Sequence, residues 1–216
     1  MRFSDVLLRL EALPDVMPPP DPVLIPVIMG GLGRRPPRTA PTGQAGRRAG
    51  VLVLLHPGDD GEARVVLTER ATRDGHHSGE VSFPGGKAES GDADIVATAL
   101  READEEVALD VVASGVRVIG LLERFWIPVS DFEVTPVVAI ATRRPKLVAS
   151  PAEVARIVEP PVARFLPGGE ITLVERAVDG WPLRFGAFDV DGLSVWGATA
   201  RILSQLGAVL ADSSGL

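Results

Sequence analysis

The segment from Ser82 to Leu109, SFPGGKAESGDADIVATALREADEEVAL, constrains the fold more than any other part of the chain. It begins with strand-like residues, turns through the pair Gly85 and Gly86, and continues with helical periodicity, for which Asp92 or Ser90 can supply an N-terminal cap. The apolar positions of that helix form one stripe: Val96, Leu100, Ala103 and Val107. A glycine loop that leads into an amphipathic helix needs a sheet against which the helix can pack.

Short runs rich in β-branched residues supply the strands of that sheet. The runs GVLVLLH, which starts at Gly50, and ARVVLTER, which starts at Ala63, flank the turn-forming stretch PGDDGE and predict a hairpin. Three later runs predict further strands: VRVIGLLERFWI, EVTPVVAIAT and WPLRFGAFDV. Strands interspersed with helices in this order predict an α/β fold, a mixed sheet with helices on its faces.

Three other segments have the pattern of helices. They are the amphipathic N-terminal stretch 1–13, a short helix in SPAEVARIVEPPVARFL at 150–166 that is followed by a break at Pro160 and Pro161, and SVWGATARILSQLGAVLAD at 194–212. The last of these should turn one stripe toward the core, comprising Val195, Thr199, Ile202, Leu206 and Val209. A length of 216 residues suits one domain with an extension, so we predict an N-terminal helix and Pro/Arg/Gly-rich extension at 1–48 and a compact domain at 49–216.

The extension admits two interpretations. Its prolines fix φ and remove backbone donors, which is typical of a mobile surface loop. Its arginines would instead suit a basic flap over an anionic ligand; they are Arg34, Arg35, Arg38, Arg47 and Arg48. The sequence leaves both open.

Composition excludes several kinds of site and partner. The chain has no cysteine, which excludes disulfides, thiolate metal sites and a cysteine nucleophile. Its net charge of −7 does not suit general nucleic-acid binding, which depends on neutralising phosphates with Lys and Arg. Its longest apolar runs are too short to span a bilayer, and the N-terminus lacks the layout of a signal peptide. We therefore expect a cytoplasmic protein that binds neither nucleic acid nor membrane, with a homodimer left open.

Glu102, Glu105 and Glu106 lie within about one turn of the predicted helix, where their charges repel one another. A hydrated acidic face is the ordinary interpretation of such a group. Two features favour a functional one, because the acids adjoin the core stripe and the glycine loop leads directly into the helix. Converging carboxylates are the ligands that Mg²⁺ and Mn²⁺ prefer. Arg101 lies among these acids and either orients a glutamate or forms a surface ion pair.

The stretch GKAESGDADIVATALREADEEVAL resembles the Nudix box, and READEE at 101–106 agrees with every specified position of its core. The resemblance implies a Nudix-type α/β/α sandwich with a mixed β-sheet and metal-dependent hydrolysis of a diphosphate linked to another moiety. It also implies that Glu102, Glu105 and Glu106 bind Mg²⁺ or Mn²⁺, that one of them serves as base, and that Arg101 belongs to the catalytic group. The chain departs from the pattern at Ala108, where the family has Gly, and at Asp92, where it has Glu.

The box is also one residue longer than the general pattern between Gly86 and Arg101, a spacing that resembles the coenzyme A pyrophosphatase branch. The stretch VLTERATRDGHHSGEVSFPGG, from Val66 to Gly86, resembles that branch as well. The resemblance implies products 3′,5′-ADP and 4′-phosphopantetheine or its acyl derivative. The residues that it suggests for substrate binding are Arg70, His77, Gly79, Gly85, Gly86 and Lys87. Arg73 joins this set because its charge, like that of Arg70, could neutralise a phosphate.

Some alternatives remain open at this point. The chain could hydrolyse another nucleoside diphosphate derivative such as ADP-ribose, or bind a nucleotide without catalysis. A further metal ligand outside the helix could be Glu123, Glu133 or Glu153. Among the neighbouring residues, His77 is expected to hold the loop by a hydrogen bond, and Phe83 is expected in the core.

Overall fold

The computed structural model describes residues 1–11, 13–29, 46–71, 80–128, 130–178 and 180–211. Its helices are α1 (Phe3–Arg9), α2 (Ile95–Val107) and α3 (Gly197–Ala211), with short 3₁₀ helices at Pro22–Leu24 and Val162–Phe165. Its strands are β1 (Val27–Ile28), β2 (Arg47–Pro57), β3 (Ala63–Val65), β4 (Leu67–Arg70), β5 (Val81–Ser82), β6 (Gly85–Lys87), β7 (Val116–Leu121), β8 (Phe125–Ile127), β9 (Phe132–Ala141), β10 (Val154–Val158), β11 (Thr172–Val178), β12 (Trp181–Val190) and β13 (Leu193–Val195). The predicted boundary between residues 48 and 49 falls inside β2 and stays a prediction.

The largest sheet is mixed and has six strands. Its order is β3-β2-β9-β7, with β6 paired to β2 and β8 paired to β9. The long strands β2 and β9 run parallel, and the other pairs are antiparallel. Both long strands are nearly continuous apolar runs, which is the pattern of strands that are covered on both faces. The predicted mixed sheet is therefore confirmed.

Helices cover the two faces of this sheet. Along β2, Leu52 and Leu54 pack with α2, whereas Val53 and Leu55 belong to the cluster that contains α1 and α3. This alternation follows from the two-residue period of a strand. The predicted α/β/α sandwich is confirmed by this arrangement.

The α2 helix lies close to β2 because of a glycine. A Cβ atom at Gly50 would lie 2.7 Å from the Ile95 carbonyl oxygen and 3.2 Å from the Ala99 amide nitrogen. The cap predicted at Asp92 or Ser90 is wrong, since the helix begins after Asp94, whose carboxylate accepts from the Ala97 N–H at 2.8 Å. A capping side chain must come directly before the first helical residue to reach the third N–H of the helix.

The N-terminal residues wrap around α3. Arg9 donates to the Leu210 carbonyl at 2.5 Å, Gln205 donates to the Pro18 carbonyl at 3.1 Å, and Ser204 accepts from the Asp21 N–H at 2.8 Å. The stripe predicted to face inward from the C-terminal segment is buried at all five positions. The helix α1 is shorter than predicted, but it shares one core with α3.

The short helix predicted before the break at Pro160 and Pro161 is wrong. The chain forms β10 there, antiparallel to β4, and then the 3₁₀ helix at Val162–Phe165. The pair Pro160 and Pro161 cannot continue a helix, and the edge of β4 offers backbone partners. The predicted hairpin is confirmed for β2 and β3. The second predicted run, ARVVLTER, forms two strands, because β4 pairs with β5 and β10 in a separate three-stranded sheet. Within the described residues, no helix is both long enough and apolar enough to span a membrane.

Replacing Ala108 with Gly should stabilise the protein without changing its chemistry. Ala108 ends α2 in the left-handed region, with φ +52° and ψ +44°, where a Cβ atom is unfavourable. We expect Ala108→Gly to raise the free energy of unfolding by about 0.5–1 kcal/mol. The matched control Ala97→Gly, inside the same helix, should lower it by about 1 kcal/mol. Urea denaturation measures both, and a destabilised Ala108→Gly would contradict this interpretation of the helix end.

Candidate active site

The glycine pair lets the loop backbone lie directly against the acidic helix. Gly85 and Gly86 pair with Val51 and Gly50 of β2, and the Leu52 N–H donates to the Pro84 carbonyl at 2.8 Å. A Cβ atom at Gly86 would lie 2.6 Å from the Glu102 carboxylate, and one at Gly85 would lie 2.5 Å from the Gly50 carbonyl oxygen. A side chain at Gly86 would therefore separate the loop from Glu102, and a side chain at Gly85 would separate the loop from β2.

Glu102 and Glu106 lie one turn apart on the helix face that meets this loop. Glu106 is only 6% exposed. Its burial raises its pKa to about 7, and the like charges of Glu102 and Glu153 act in the same direction, although Arg70 and the Gly85 N–H oppose the shift. Burial also raises the pKa of Glu102, against the opposing effect of its pairing with Arg101. These carboxylates are desolvated and close to like charges, which a cation would relieve.

Arg101 connects the loop to the helix. Its Nε donates to Asp92 at 2.9 Å, and one terminal nitrogen donates to the Lys87 carbonyl at 3.1 Å and lies 3.0 Å from Glu102. The other terminal nitrogen donates to Glu105 at 2.9 Å. The hydrogen bonds from Arg101 are the largest cause of the lowered pKa of Asp92. The guanidinium fork therefore contacts three acids and holds the loop backbone.

Asp92 is the anchor of this arrangement. Besides Arg101, it accepts from the Thr98 hydroxyl at 2.8 Å and from the Glu89 N–H at 2.9 Å. Its side chain is 7% exposed. Asp92 thus still reaches Arg101, although its side chain is shorter than the Glu of the Nudix box and the box is one residue longer here.

The three acids of the motif do not all converge. Glu105 turns toward Arg101, and its side chain is 57% exposed. Across the residues that the structure describes, no three Asp, Glu or His side chains form a group that could hold a metal ion. The pair Glu102 and Glu106 still fits a hard divalent cation, because Mg²⁺ is commonly bound by one or two carboxylates together with waters and substrate phosphates. The role of Glu105 as a ligand stays a prediction.

The sequence left open three acids outside the helix, and of these Glu153 is the one whose charge acts on Glu102 and Glu106. Its charge contributes to the raised pKa of both Glu102 and Glu106. The segment before β10 brings it there: the Ser150 N–H donates to the Glu106 carbonyl at 2.8 Å, and the Ala71 N–H donates to the Glu153 carbonyl at 2.9 Å.

The other two outer acids are paired with arginines elsewhere. Glu123 lies 3.4 Å from Arg201, and Glu133 lies 3.7 Å from Arg124. Of the three candidates, Glu153 is thus the one that the structure associates with Glu102 and Glu106.

A cleft of about 190 Å³ opens beside the glycine pair. It lies between the sheet and α3, and Arg70 lines it together with Gly85 and Gly86. The rest of its described lining is Ala49, Val51, Ser82, Phe83, Ile127, Phe132, Val134, Ala198, Thr199 and Ile202. Phe83 is 3% exposed, which confirms its prediction as a core residue.

The structure locates part of the predicted substrate-binding set. Arg70, Gly85 and Gly86 come together at the cleft, and Lys87 is exposed on β6. Arg73, His77 and Gly79 lie outside the described residues, as do three arginines of the proposed flap, Arg34, Arg35 and Arg38.

Arg47, one of the arginines of the predicted flap, packs 4.2 Å above the ring of Phe132. Sequence reasoning missed Phe132 and Ile127 as residues that line the cleft. No local motif marks these residues, because the strands that carry them meet only in the folded sheet.

The comparisons with known proteins agree with this arrangement. The NUDIX domain family matches residues 46–135. The chain is 40% identical over 142 residues to the uncharacterized Nudix hydrolase NudL of Salmonella paratyphi B, an alignment that covers 66% of this chain and 72% of that protein. The chain belongs to the Nudix hydrolase family.

The chain is also similar to a plant protein and to a protein of known structure. The chain is 39% identical over 169 residues to "Nudix hydrolase 15, mitochondrial" of Arabidopsis thaliana, covering 76% of this chain but only 58% of that protein. It therefore spans less than two thirds of the length of this plant relative. The crystal structure of a Nudix hydrolase from M. smegmatis, RenU, is 24% identical with a TM-score of 0.45, covering 64% of this chain and 80% of that one.

Replacing Glu106 with Gln should stabilise the metal-free protein at alkaline pH. The folded-state pKa of Glu106, about 7, lies above its ordinary value of 4.5, so folding disfavours the charged form. The wild type therefore loses stability as the pH rises from about 4.5 through about 7, whereas Gln carries no charge to penalise. In chelator, the melting temperature of Glu106→Gln minus that of wild type should grow between about pH 5 and about pH 8.

Asp104→Asn is the matched control, because Asp104 is exposed on the same helix. Its melting temperature should follow that of the wild type across the same range. A Glu106→Gln difference that stays flat, or that shrinks toward alkaline pH, would show that the fold does not penalise the Glu106 charge.

Proposed function

We propose that the protein is a pyrophosphohydrolase that depends on Mg²⁺ or Mn²⁺ and cleaves the diphosphate bond of coenzyme A and its thioesters. The expected products are 3′,5′-ADP and 4′-phosphopantetheine or its acyl derivative. The observation that carries the proposal is the apposition of Glu102 and Glu106 to the glycine pair, with Arg70 at the same place. Carboxylates that can bind a metal ion thus lie beside the same cleft as a glycine backbone that phosphate can approach closely and an arginine that can pair with phosphate.

Glu102 and Glu106 would hold the metal ion in this proposal. Their oxygen donors, their burial and their like charge suit a hard divalent cation. When bound, the ion supplies polarisation of a phosphoryl oxygen and lowers the pKa of a coordinated water. Glu105 contributes through Arg101 in this scheme, since its carboxylate faces that guanidinium.

The remaining residues bind and orient the diphosphate. Gly85 and Gly86 bring their backbone close to it without a side chain in between. Arg70 would neutralise its charge, since Arg70 lines the cleft together with the glycine pair. Arg101 acts as a positioning residue for Glu102 and for the loop, since its donors are directed to protein acceptors.

Glu153 is our candidate for the general base. It would take a proton from the water that adds to one phosphorus, while the anhydride oxygen leaves with the other phosphorus. An exposed carboxylate on the border of the Glu102 and Glu106 pair can reach an incoming water without being a metal ligand itself. Glu133 is a matched control, because it pairs with Arg124 instead.

The choice of coenzyme A rests on the sequence, because the stretch at 66–86 and the longer spacing between Gly86 and Arg101 resemble the coenzyme A pyrophosphatase branch. The names of the relatives reported above give no substrate. A cytoplasmic location and a homodimer stay predictions of the sequence.

A substrate panel tests this proposal. With Mg²⁺, the wild type should hydrolyse coenzyme A with a higher kcat/KM than ADP-ribose, and dephospho-coenzyme A should lie between them if the 3′-phosphate is bound. Glu106→Gln should lose about 10²-fold or more in kcat, the scale of removing a key electrostatic group, and Glu153→Gln should lose activity where Glu133→Gln does not.

The panel separates the alternatives. A preference for ADP-ribose would assign a different nucleoside diphosphate derivative as substrate and reject coenzyme A. Turnover by Glu106→Gln at the wild-type rate would reject the site itself. No hydrolysis of any diphosphate, with nucleotide binding retained, would indicate a non-catalytic module.

A further inference from the structure

We propose that the cleft beside Gly85 and Gly86 holds an uncharged, largely aliphatic arm of the substrate, esterified to the diphosphate, and that the nucleotide arm binds outside it. This inference rests on the proposed function, because it says which half of a two-armed diphosphate enters the cleft. It assigns substrate selection to residues of β8, β9 and α3, which lie outside the sequence motifs.

The walls of the cleft are aliphatic and aromatic. They come from separate parts of the fold: Val51 on β2, Ile127 on β8, Val134 on β9, and Ala198 and Ile202 on α3. Phe83 and Phe132 complete the apolar lining. A lining of this kind favours a ligand group that loses little hydration when it is buried.

The polar groups of the described lining are few, and most are engaged. The hydroxyl of Thr199 donates to the Val81 carbonyl at 2.9 Å, and the hydroxyl of Ser82 lies 3.3 Å from that of Thr68. Arg70 is the remaining polar side chain in the described lining. A purine presents several ring nitrogens and an amino group, which would lose their water here without equivalent partners. A flexible arm such as pantetheine can instead place its methyl and methylene groups against this lining and keep its two amides toward water, which a rigid purine cannot do.

The cleft also has a direction. At one end lie Arg70 and the glycine pair, next to the Glu102 carboxylate. Phe132 and Ile127 pair with each other where β8 meets β9, and Arg47 packs above the Phe132 ring. An anionic group at the glycine end and an apolar chain running toward β8 match this distribution. The diphosphate would then lie at the glycine end of the cleft, between the proposed metal ligands and the apolar lining.

Ala198→Leu tests the inference by filling the cleft from its α3 wall. Calorimetric titrations with Mg²⁺ would measure the Kd of the two products separately, 4′-phosphopantetheine and 3′,5′-ADP. We expect the Kd of 4′-phosphopantetheine to rise about tenfold and that of 3′,5′-ADP to stay unchanged, since steric loss in an apolar pocket is of that scale.

Ala208→Leu is the matched control, because Ala208 lies on the same helix but not in the lining. It should alter neither Kd. The opposite change, Ile127→Ala, widens the cleft and should raise kcat/KM for longer acyl thioesters relative to coenzyme A. Thermal melts of all variants would verify that each is folded.

The possible results separate this inference from the proposed function. If wild type hydrolyses coenzyme A but Ala198→Leu weakens 3′,5′-ADP instead, or weakens both products equally or neither, the assignment of the cleft is wrong while the activity stands. If wild type does not hydrolyse coenzyme A at all, the proposed function fails and this inference fails with it.

Discussion

The guanidinium group of Arg101 joins the glycine loop to the acidic helix, and the geometry of the site follows from this junction. Its donors reach Asp92 and the Lys87 carbonyl on the loop, and Glu102 and Glu105 on the helix. A planar fork with several donors can satisfy acceptors in different directions at once, which a lysine cannot do. With the loop fixed in this way, the backbone of Gly86 lies against the Glu102 carboxylate.

The sheet supplies the rigid support for a site that is electrostatically unfavourable by itself. Burial and neighbouring charge raise the pKa of Glu106 to about 7, so the fold does not favour its ionised form. The helix nevertheless stays in place, because Ala99, Ala103 and Val107 pack on the sheet and Gly50 lets the helix approach. Hydrophobic packing thus offsets the cost of holding like charges together, an arrangement that is common where function conflicts with stability.

The sequence predicts the parts of this site that depend on nearby residues, such as the glycine loop, the helix and its acids. It predicts less well where distant residues decide the outcome. The segment at 150–166 has a helical pattern, but pairing of Val154–Val158 with β4 makes it a strand. Glu105 pairs with Arg101 at 2.9 Å, a contact that the spacing of the three acids does not specify. The cleft depends on Phe132 and Ala198, which meet only through the tertiary fold.

We propose that Glu102 and Glu106 together bind a divalent cation, while the Glu105 carboxylate faces Arg101. The most direct measurement is the anomalous scattering of Mn²⁺ in crystals of the protein soaked with that ion. We expect one strong anomalous peak in contact with the carboxylates of Glu102 and Glu106, with Glu105 still paired with Arg101. A peak bound by Glu105 alone, or an absence of any peak beside α2 at saturating Mn²⁺, would contradict it.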